Sequence, residues 1–233
     1  MVMETQSKYK IFIITIDDNR YKKYKQSYLR KNPIYEKWKG CIGKNLTADF
    51  VDNTYITMWN ANRTHKHNVA GCSESHLSLM KHIIENKLNT CIVCEDDIEI
   101  DLNRINELDN INNFCYIGGH FQNPVLSRKI KKDNITLDNG INNIDIKQFT
   151  IAGGYGYYYP TWKVCEYIYN LITNKKKRRA IDAEFRILQK KQIITKFIYP
   201  AIVTLYLPEA KNGFTYRKGS YKLIDNYYRY NHR

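Results

Sequence analysis

Three consecutive carboxylates, Glu95–Asp97, directly follow the apolar segment Thr90–Cys94. Such a segment is typical of a buried strand in a parallel sheet, and ligands bind outside the carboxyl ends of these strands. Adjacent carboxylates repel one another, so a divalent cation is a natural neutraliser, and oxygen ligands favour Mg²⁺, Mn²⁺ or Ca²⁺. This acidic triplet (Glu95–Asp97) therefore predicts either a metal site that bridges the phosphates of a nucleotide or a solvated acidic loop.

The acidic triplet opens a run whose charge opposes that of the chain. The chain has a net charge of +14, yet residues 95–109 hold seven acidic residues and only one basic residue, Arg104. A basic surface favours anionic partners such as nucleotides, nucleic acid or acidic lipid head groups. Part of the positive charge reflects codon usage, because Ile, Lys, Asn and Tyr make up 100 of the 233 residues. That bias indicates an A/T-rich genome, such as that of a parasite or a large DNA virus.

Two further segments carry residue types that can do chemistry. Gly71–His76 precedes an amphipathic helix, so Ser75 and His76 either cap that helix and pack beneath a loop or take part in a site. Asp182 and Glu184 open a later helix, after the basic run 175–179. Their carboxylates are either helix caps or general bases, and spacing alone does not decide between the two.

Hydrophobic patterning predicts an α/β protein in which strands and helices alternate. Lys10–Ile16 is a second buried strand beside Thr90–Cys94, and the intervening helix begins at Ser73 or Ser75. Strand–helix–strand alternation over the first 120 residues implies a parallel sheet. The other predicted elements are a basic helix at Arg20–Arg30, a strand at Phe114–Ile117, a loop or ragged hairpin at 121–148, helices at Trp162–Ile172 and Ile181–Lys191, and a strand at Phe197–Leu207.

Several classes of protein are excluded by composition. The longest apolar runs are about six residues, whereas a membrane span needs roughly 20. The polar start of the chain is not typical of a signal peptide.

The six cysteines form no regular framework, and Cys91 and Cys94 lack a second ligand pair for zinc, so we expect free thiols in a reducing compartment, the cytoplasm. A single domain over 1–233 is expected, because no long linker divides the chain.

The order of these segments resembles glycosyltransferase family 25, which includes lipooligosaccharide β-galactosyltransferases and collagen galactosyltransferase domains. The resemblance runs over about residues 10–205 and is most specific from Gly71 to Ile98. The chain departs from the family pattern at Asn68-Val69, where the family usually has Gly-Glu. The resemblance implies a GT-A-type nucleotide-sugar-binding fold with a mixed, mainly parallel central sheet. Residues of about 10–120 would bind the nucleotide, and those of about 121–233 would bind the acceptor.

The resemblance also implies site residues and a reaction. The reaction is a metal-dependent, inverting transfer of galactose, glucose or another hexose from a UDP-sugar to a hydroxyl of a glycan, glycolipid or glycoprotein, with Mn²⁺ or Mg²⁺ as cofactor. Asp182 would be the catalytic base, with Glu184 as the local alternative. Asp97 would hold the metal with help from Glu95. The remaining donor-binding candidates are Thr15, Asp17, Arg20, Ser75, His76, Glu95, Asp96, Gly153 and Gly154.

Two other functions fit the composition. A metal-dependent nuclease also uses clustered carboxylates and a basic surface, but it would normally have a lysine soon after the acidic pair. None stands between Asp97 and Arg104. A non-enzymatic nucleic-acid-binding protein would use the many aromatic residues, but these follow no recognisable pattern of single-strand recognition. Nucleic acid is therefore not the expected partner.

Overall fold

The computed structural model describes residues 8–22, 35–56, 63–125, 135 and 137–205. Within them, the helices are α1 (Ala48–Thr54), α2 (Arg63–Glu85), α3 (Trp162–Thr173) and α4 (Ile181–Lys190), with 3₁₀ segments at Gly43–Asn45 and Leu102–Asn110. The strands are β1 (Lys10–Thr15), β2 (Tyr35–Lys39), β3 (Cys91–Glu95), β4 (Ile98–Ile100), β5 (Cys115–Tyr116), β6 (His120–Gln122), β7 (Gly140–Asn143), β8 (Thr150–Ala152), β9 (Gly156–Tyr159), β10 (Lys196–Tyr199) and β11 (Val203–Leu205).

A seven-stranded mixed sheet forms the centre, in the order β2-β1-β3-β9-β5-β10-β7. Strands β1, β2 and β3 are parallel neighbours, and β5 and β10 run the same way, whereas β9 and β7 are antiparallel to their neighbours. Two small antiparallel pairs, β11-β4 and β6-β8, complete the sheet structure of the described residues. The predicted α/β class with a mixed, mainly parallel sheet is confirmed, and it is consistent with a GT-A-type fold.

Strands β1 and β3 are buried because both of their faces are apolar. Phe12 and Val93 belong to a core on one face, together with residues of α2, α3 and α4. Ile13 and Cys94 belong to a second core on the other face, which the 3₁₀ segment Leu102–Asn110 covers with Leu108. A strand covered on both sides must be apolar along its whole length, which is the pattern that made these strands recognisable in the sequence.

Helix α2 is longer than predicted. It begins at Arg63, so Ser73 and Ser75 lie in its interior and do not cap it, contrary to the sequence-based expectation. Their hydroxyls instead donate to backbone carbonyls one turn earlier, Ser73 to Val69 at 2.9 Å and Ser75 to Gly71 at 2.7 Å. A serine inside a helix can pair its hydroxyl with the backbone carbonyl four residues earlier in this way.

The predicted strand at Phe197–Leu207 was wrong as one element. The chain leaves the central sheet after β10, and β11 pairs with β4 in a separate sheet. The segment 121–148, predicted as a loop or ragged hairpin, contains the end of β6 and all of β7, and its residues 126–134 and 136 lie outside the described residues. Of the basic helix expected at Arg20–Arg30, residues 20–22 are helical, in a turn that begins at residue 18, and the rest lies outside the described part. No helix among the described residues has the length and apolar character needed to cross a membrane.

Candidate active site

The acidic triplet lies beside the end of β1 because β1 and β3 are parallel, with Ile14 paired to Glu95. The Thr15 hydroxyl accepts a hydrogen bond from the backbone N–H of Asp17 at 3.0 Å and donates to Asp96 Oδ2 at 2.5 Å. On the other side, Arg20 Nη2 is 2.7 Å from Asp96 Oδ1. Asp96 is buried, and these two contacts fix its carboxylate between the ends of the two strands. Asp96 therefore has a structural role in the site, in which it links Thr15 at the end of β1 to Arg20.

Asp17 orients Arg20 through the backbone. Its carboxylate accepts hydrogen bonds from the N–H groups of Asn19 at 2.8 Å and of Arg20 at 3.4 Å, and residues 18–22 are helical. This is the geometry of a helix N-cap. The cap starts a helical turn directly after β1 and places the Arg20 guanidinium over the acidic triplet.

Asp97 is the least compensated carboxylate of the triplet. Arg20 Nη2 is 3.8 Å from its Oδ2, and its buried Oδ1 has no hydrogen-bond partner among the described residues. Burial, followed by the charge of Glu95, raises the pKa of Asp97 to about 7. Burial also raises the pKa of Asp96, although Thr15 and Arg20 counteract it. The site thus holds more negative charge than its own cation neutralises, which suits a bound metal ion.

A buried histidine contacts the Glu95 carboxylate from the protein interior. His76 lies on α2 with 1% of its surface exposed, and its Nε2 is 3.3 Å from Glu95 Oε1. Its other ring nitrogen, Nδ1, bonds the hydroxyl of Tyr157 on β9. Burial raises the pKa of Tyr157 well above its ordinary value, so the phenol keeps its proton. A chain of hydrogen bonds therefore runs from the core to Glu95 and fixes the orientation of its carboxylate.

Cys72 stands one helical turn before His76, on the same face of α2. Its Sγ is 4.0 Å from Glu95 Oε1. The residue is exposed to solvent, yet enough protein surrounds it that desolvation, followed by the charges of Glu95, Asp182 and Asp97, raises the pKa of its thiol well above the ordinary value. Cys72 is therefore accessible to solvent beside the acidic triplet. Sequence reasoning missed Cys72 and Tyr157 as site residues; the four-residue spacing of Cys72 and His76 was the available signal for the first.

Asp182 lies at the first turn of α4, near enough to Glu95 for the charge of Glu95 to affect its pKa. The N-cap residue of α4 is Ala180, so Asp182 does not cap its helix, as one sequence reading had it. It is exposed, and its carboxylate accepts a hydrogen bond from the N–H of Ala183 at 2.7 Å. Desolvation by the surrounding protein raises its pKa, and the charge of Glu95 adds to the effect. An accessible carboxylate with a raised pKa has the character of a general base.

Glu184 and Ser75 are placed differently. Glu184 is fully buried, paired with Lys175, and bonded by the backbone N–H of Arg179 at 2.7 Å. Ser75 is buried behind the site, where its hydroxyl accepts from the N–H of Cys41 at 2.7 Å. Both contacts hold chain segments together. The sequence grouped these two residues with the site because it shows proximity along the chain and not the direction of the side chains.

The glycine pair after β8 borders the site at Gly154. A Cβ at Gly154 would lie 3.8 Å from His76 Nε2 and 3.9 Å from Glu95 Oε1, so this glycine leaves open space beside both. Gly153 has a φ of +89°, which favours glycine, and it packs against the ring of Tyr155. The glycine pair thus brings backbone, without side chains, close to Glu95.

The long acidic run does not form one cluster. Glu107 pairs with Arg104 at 2.6 Å, and Asp109 pairs with Lys8 at 2.9 Å. Asp101 accepts from the N–H of Asn103 at 3.2 Å and caps the 3₁₀ segment. The basic run at 175–179 is also engaged: Arg178 contacts Glu74 at 3.1 Å, in addition to the Lys175 pair. Asp101, Glu107 and Asp109 of the acidic run are therefore engaged elsewhere and are not part of the site.

A family model matches the part of the chain that carries the acidic triplet. Among curated proteins, none matches the chain. The model of glycosyltransferase family 25, described as an LPS biosynthesis protein, matches residues 8–143, which is more than half of the 233 residues and includes β1, α2, β3 and the acidic triplet. The chain therefore belongs to glycosyltransferase family 25.

Proposed function

We propose that this glycosyltransferase moves a hexose, galactose or glucose, from a UDP-sugar to a hydroxyl group of a glycan, glycolipid or glycoprotein, with inversion at the anomeric carbon. The observation that supports this most is the undercompensated acidic triplet at the carboxyl ends of two parallel strands, where α/β folds bind their ligands. Family membership favours a transferase over the nuclease and nucleic-acid-binding alternatives.

The residues present suit a Mn²⁺ or Mg²⁺ ion. Asp97 offers a buried oxygen without a hydrogen-bond partner among the described residues, and Glu95 offers a second, partly exposed carboxylate. Oxygen ligands of this kind favour hard divalent cations. Bound there, the ion would neutralise the charge of the diphosphate leaving group.

The nucleotide would be held by the chain around the end of β1. Arg20 lies over the triplet, and its buried Nε has no hydrogen-bond partner among the described residues. Thr15 and Asp17 form their hydrogen bonds within the protein, with Asp96 and with the helical turn. They therefore shape the nucleotide-binding region and would make few direct contacts with the nucleotide. Glu95, oriented by His76, would accept hydrogen bonds from ribose hydroxyls beside the glycine pair.

Asp182 would act as the base. The acceptor oxygen attacks the anomeric carbon, the bond from that carbon to the diphosphate oxygen breaks, and the proton of the acceptor hydroxyl passes to the Asp182 carboxylate. Asp182 is preferred over Glu184 because it is accessible, whereas Glu184 is buried and occupied by Lys175. Residue 182 lies beyond the span of the family match, so this role is supported by its geometry and by the resemblance in sequence order.

A screen of nucleotide sugars tests the proposal. The full chain would be incubated with Mn²⁺ and each UDP-, GDP-, CMP- and dTDP-sugar, and release of the free nucleotide would be measured. We expect release from a UDP-hexose, suppressed by EDTA. Release of nucleotide only from a donor other than a UDP-sugar would contradict the proposed donor. Release at the same rate in EDTA would contradict the proposed metal dependence.

A further inference from the structure

Three side chains of mixed chemistry converge next to the acidic triplet. The ligand atoms of Cys72, His76 and Glu95 all lie within 4.8 Å of one another. Two of these separations are known: His76 Nε2 to Glu95 Oε1 is 3.3 Å and Cys72 Sγ to Glu95 Oε1 is 4.0 Å. Around a tetrahedral zinc ion, bond lengths of about 2.0–2.3 Å put neighbouring ligand atoms about 3.3–3.6 Å apart. The nitrogen–oxygen pair already has this spacing, and the Cys72 sulfur, at 4.0 Å from Glu95 Oε1, stands somewhat beyond it.

The fold prepares the histidine for a metal ion. Cys72 and His76 stand four residues apart on α2, so both project from one helix face toward the end of β3. A histidine that binds zinc donates its second N–H to an oriented partner, and Tyr157 occupies that position at Nδ1. Without an ion, the contact between Nε2 and Glu95 needs a proton on Nε2. With an ion at Nε2, the proton sits on Nδ1, and this N–H donates a hydrogen bond to the hydroxyl oxygen of Tyr157.

We propose that Cys72, His76 and Glu95 form a binding site for Zn²⁺ or a similar transition-metal ion, separate from the hard-cation site at Asp97 and sharing Glu95 with it. A thiolate and an imidazole select Zn²⁺ or Co²⁺ over Mg²⁺. On binding, the Cys72 S–H bond breaks, its proton passes to solvent and a sulfur–metal bond forms. Three protein ligands leave a fourth position open, and Gly154 leaves room beside it.

The shared ligand has a consequence for the enzyme. An ion that takes Glu95 removes it from the nucleotide, so Zn²⁺ should weaken Mn²⁺-dependent UDP binding. This consequence rests on the proposed function, whereas binding of the ion itself does not. The two are therefore tested separately, and the first test contains no nucleotide.

The test is a Co²⁺ titration of the full chain, followed by absorption. We expect a near-ultraviolet thiolate-to-cobalt band and visible bands of tetrahedral cobalt, both displaced by Zn²⁺. Cys72→Ser should abolish the thiolate band, whereas Cys41→Ser, at a half-buried cysteine outside the cluster, should keep it. Tyr157→Phe should keep the band but weaken Co²⁺ binding by about 10–100-fold.

A second measurement, on the wild-type chain, tests the site even if Cys72→Ser fails to fold. In the wild-type chain, Zn²⁺ should protect Cys72 from a thiol reagent, with the labelled residue identified by peptide mapping, and should leave the labelling of Cys41 unchanged. The proposal is overturned if the wild type shows no thiolate band, if Cys72→Ser retains it, or if Zn²⁺ gives Cys72 no protection. If the thiolate band is intact in Co²⁺ but the wild type does not bind UDP in Mn²⁺ without Zn²⁺ or Co²⁺, the result would instead count against the proposed donor.

Discussion

Asp182 and Asp97 divide the proposed chemistry between two carboxylates in different surroundings. Asp182 is accessible at the start of α4, whereas Asp97 is mostly buried behind Arg20, with 14% of its side chain exposed. The first can exchange a proton with a hydroxyl group of an acceptor, and the second can hold a cation against a diphosphate. Single substitutions therefore separate the two roles.

Asp182→Asn should lower the rate of transfer by about 10²–10⁴-fold and leave donor binding unchanged, because an amide cannot take the proton of the acceptor. Rates with the identified donor and acceptor, together with calorimetry of UDP binding, would measure both effects. Asp49→Asn is a matched control, since Asp49 is also an exposed aspartate in the first turn of a helix. Near-normal transfer by Asp182→Asn would remove Asp182 from the reaction.

Asp97 should make the metal-free protein less stable as pH rises. Its pKa is raised to about 7 in the folded state, so between pH of about 4 and 7 the folded state binds more protons than the unfolded state, and the free energy of unfolding falls with increasing pH. In EDTA, Asp97→Asn should reduce the fall in melting temperature between pH 5 and pH 8, a range chosen to span that pKa of about 7. Identical pH profiles for the two proteins would show that Asp97 does not titrate in this way.

Helix α2 contacts the start of α4, the helix that carries the proposed base Asp182. The Ser73 hydroxyl accepts a hydrogen bond from the N–H of Ile181 at 3.1 Å, which is one of the N–H groups that a helix start leaves unpaired. Ser73→Ala should therefore lower the free energy of unfolding by about 1–3 kcal/mol, because that buried N–H loses its partner. Urea denaturation would measure it.

Ser78→Ala on the exposed side of the same helix is the control, because water replaces its contact with Trp38, and it should cost only a few tenths of a kcal/mol. Equal losses for the two serines would argue against the contact between α2 and α4.

Two glycines should respond differently to alanine. A Cβ at Gly71 would lie 2.6 Å from the backbone nitrogen of Gly43, so Gly71→Ala should push α2 from its neighbour and lower stability by about 1–3 kcal/mol. Gly154→Ala meets only ordinary contacts and should fold normally, yet its methyl group would fill the space beside Glu95 that the proposed ribose contact needs and should weaken UDP binding. Thermal melting and calorimetry would separate the two outcomes. A stable Gly71→Ala variant, or unchanged UDP affinity of Gly154→Ala, would contradict these assignments.

The sequence predicted those elements whose burial leaves a local signature. Strands β1 and β3 are apolar on both faces, so their position and parallel pairing could be inferred, and the pairing is confirmed. The start of α2 could not be inferred, because in a sequence the buried serines of a helix look the same as serines that cap one. Only their hydrogen bonds to backbone carbonyls distinguish the two. The break between β10 and β11 was hidden for a similar reason: both strands are apolar and differ only in the sheet that they join.

Across the whole molecule, the site depends on contacts between distant parts of the chain. Arg20 and Cys72 approach the acidic triplet from two different elements, and Tyr157 supports it through His76 from a third. Asp182, on a fourth element, is near enough for the charge of Glu95 to raise its pKa. The sequence could indicate the triplet, because three adjacent carboxylates at a strand end stand out in a chain of net charge +14. The roles of Cys72, Tyr157 and Glu184 depended on side-chain direction, which only the fold determines.

The central claim is that the acidic triplet binds a nucleotide diphosphate through a hard metal ion. Calorimetric titration of the full chain with UDP, in Mn²⁺ and in EDTA, tests it most directly. Asp109→Ala, at the exposed end of the same acidic run, is the control. We predict that the wild type and the control bind UDP in Mn²⁺ and lose that affinity in EDTA, and that Asp97→Ala folds normally but lacks the metal-dependent part. Unchanged affinity of Asp97→Ala for UDP in Mn²⁺ would contradict the account.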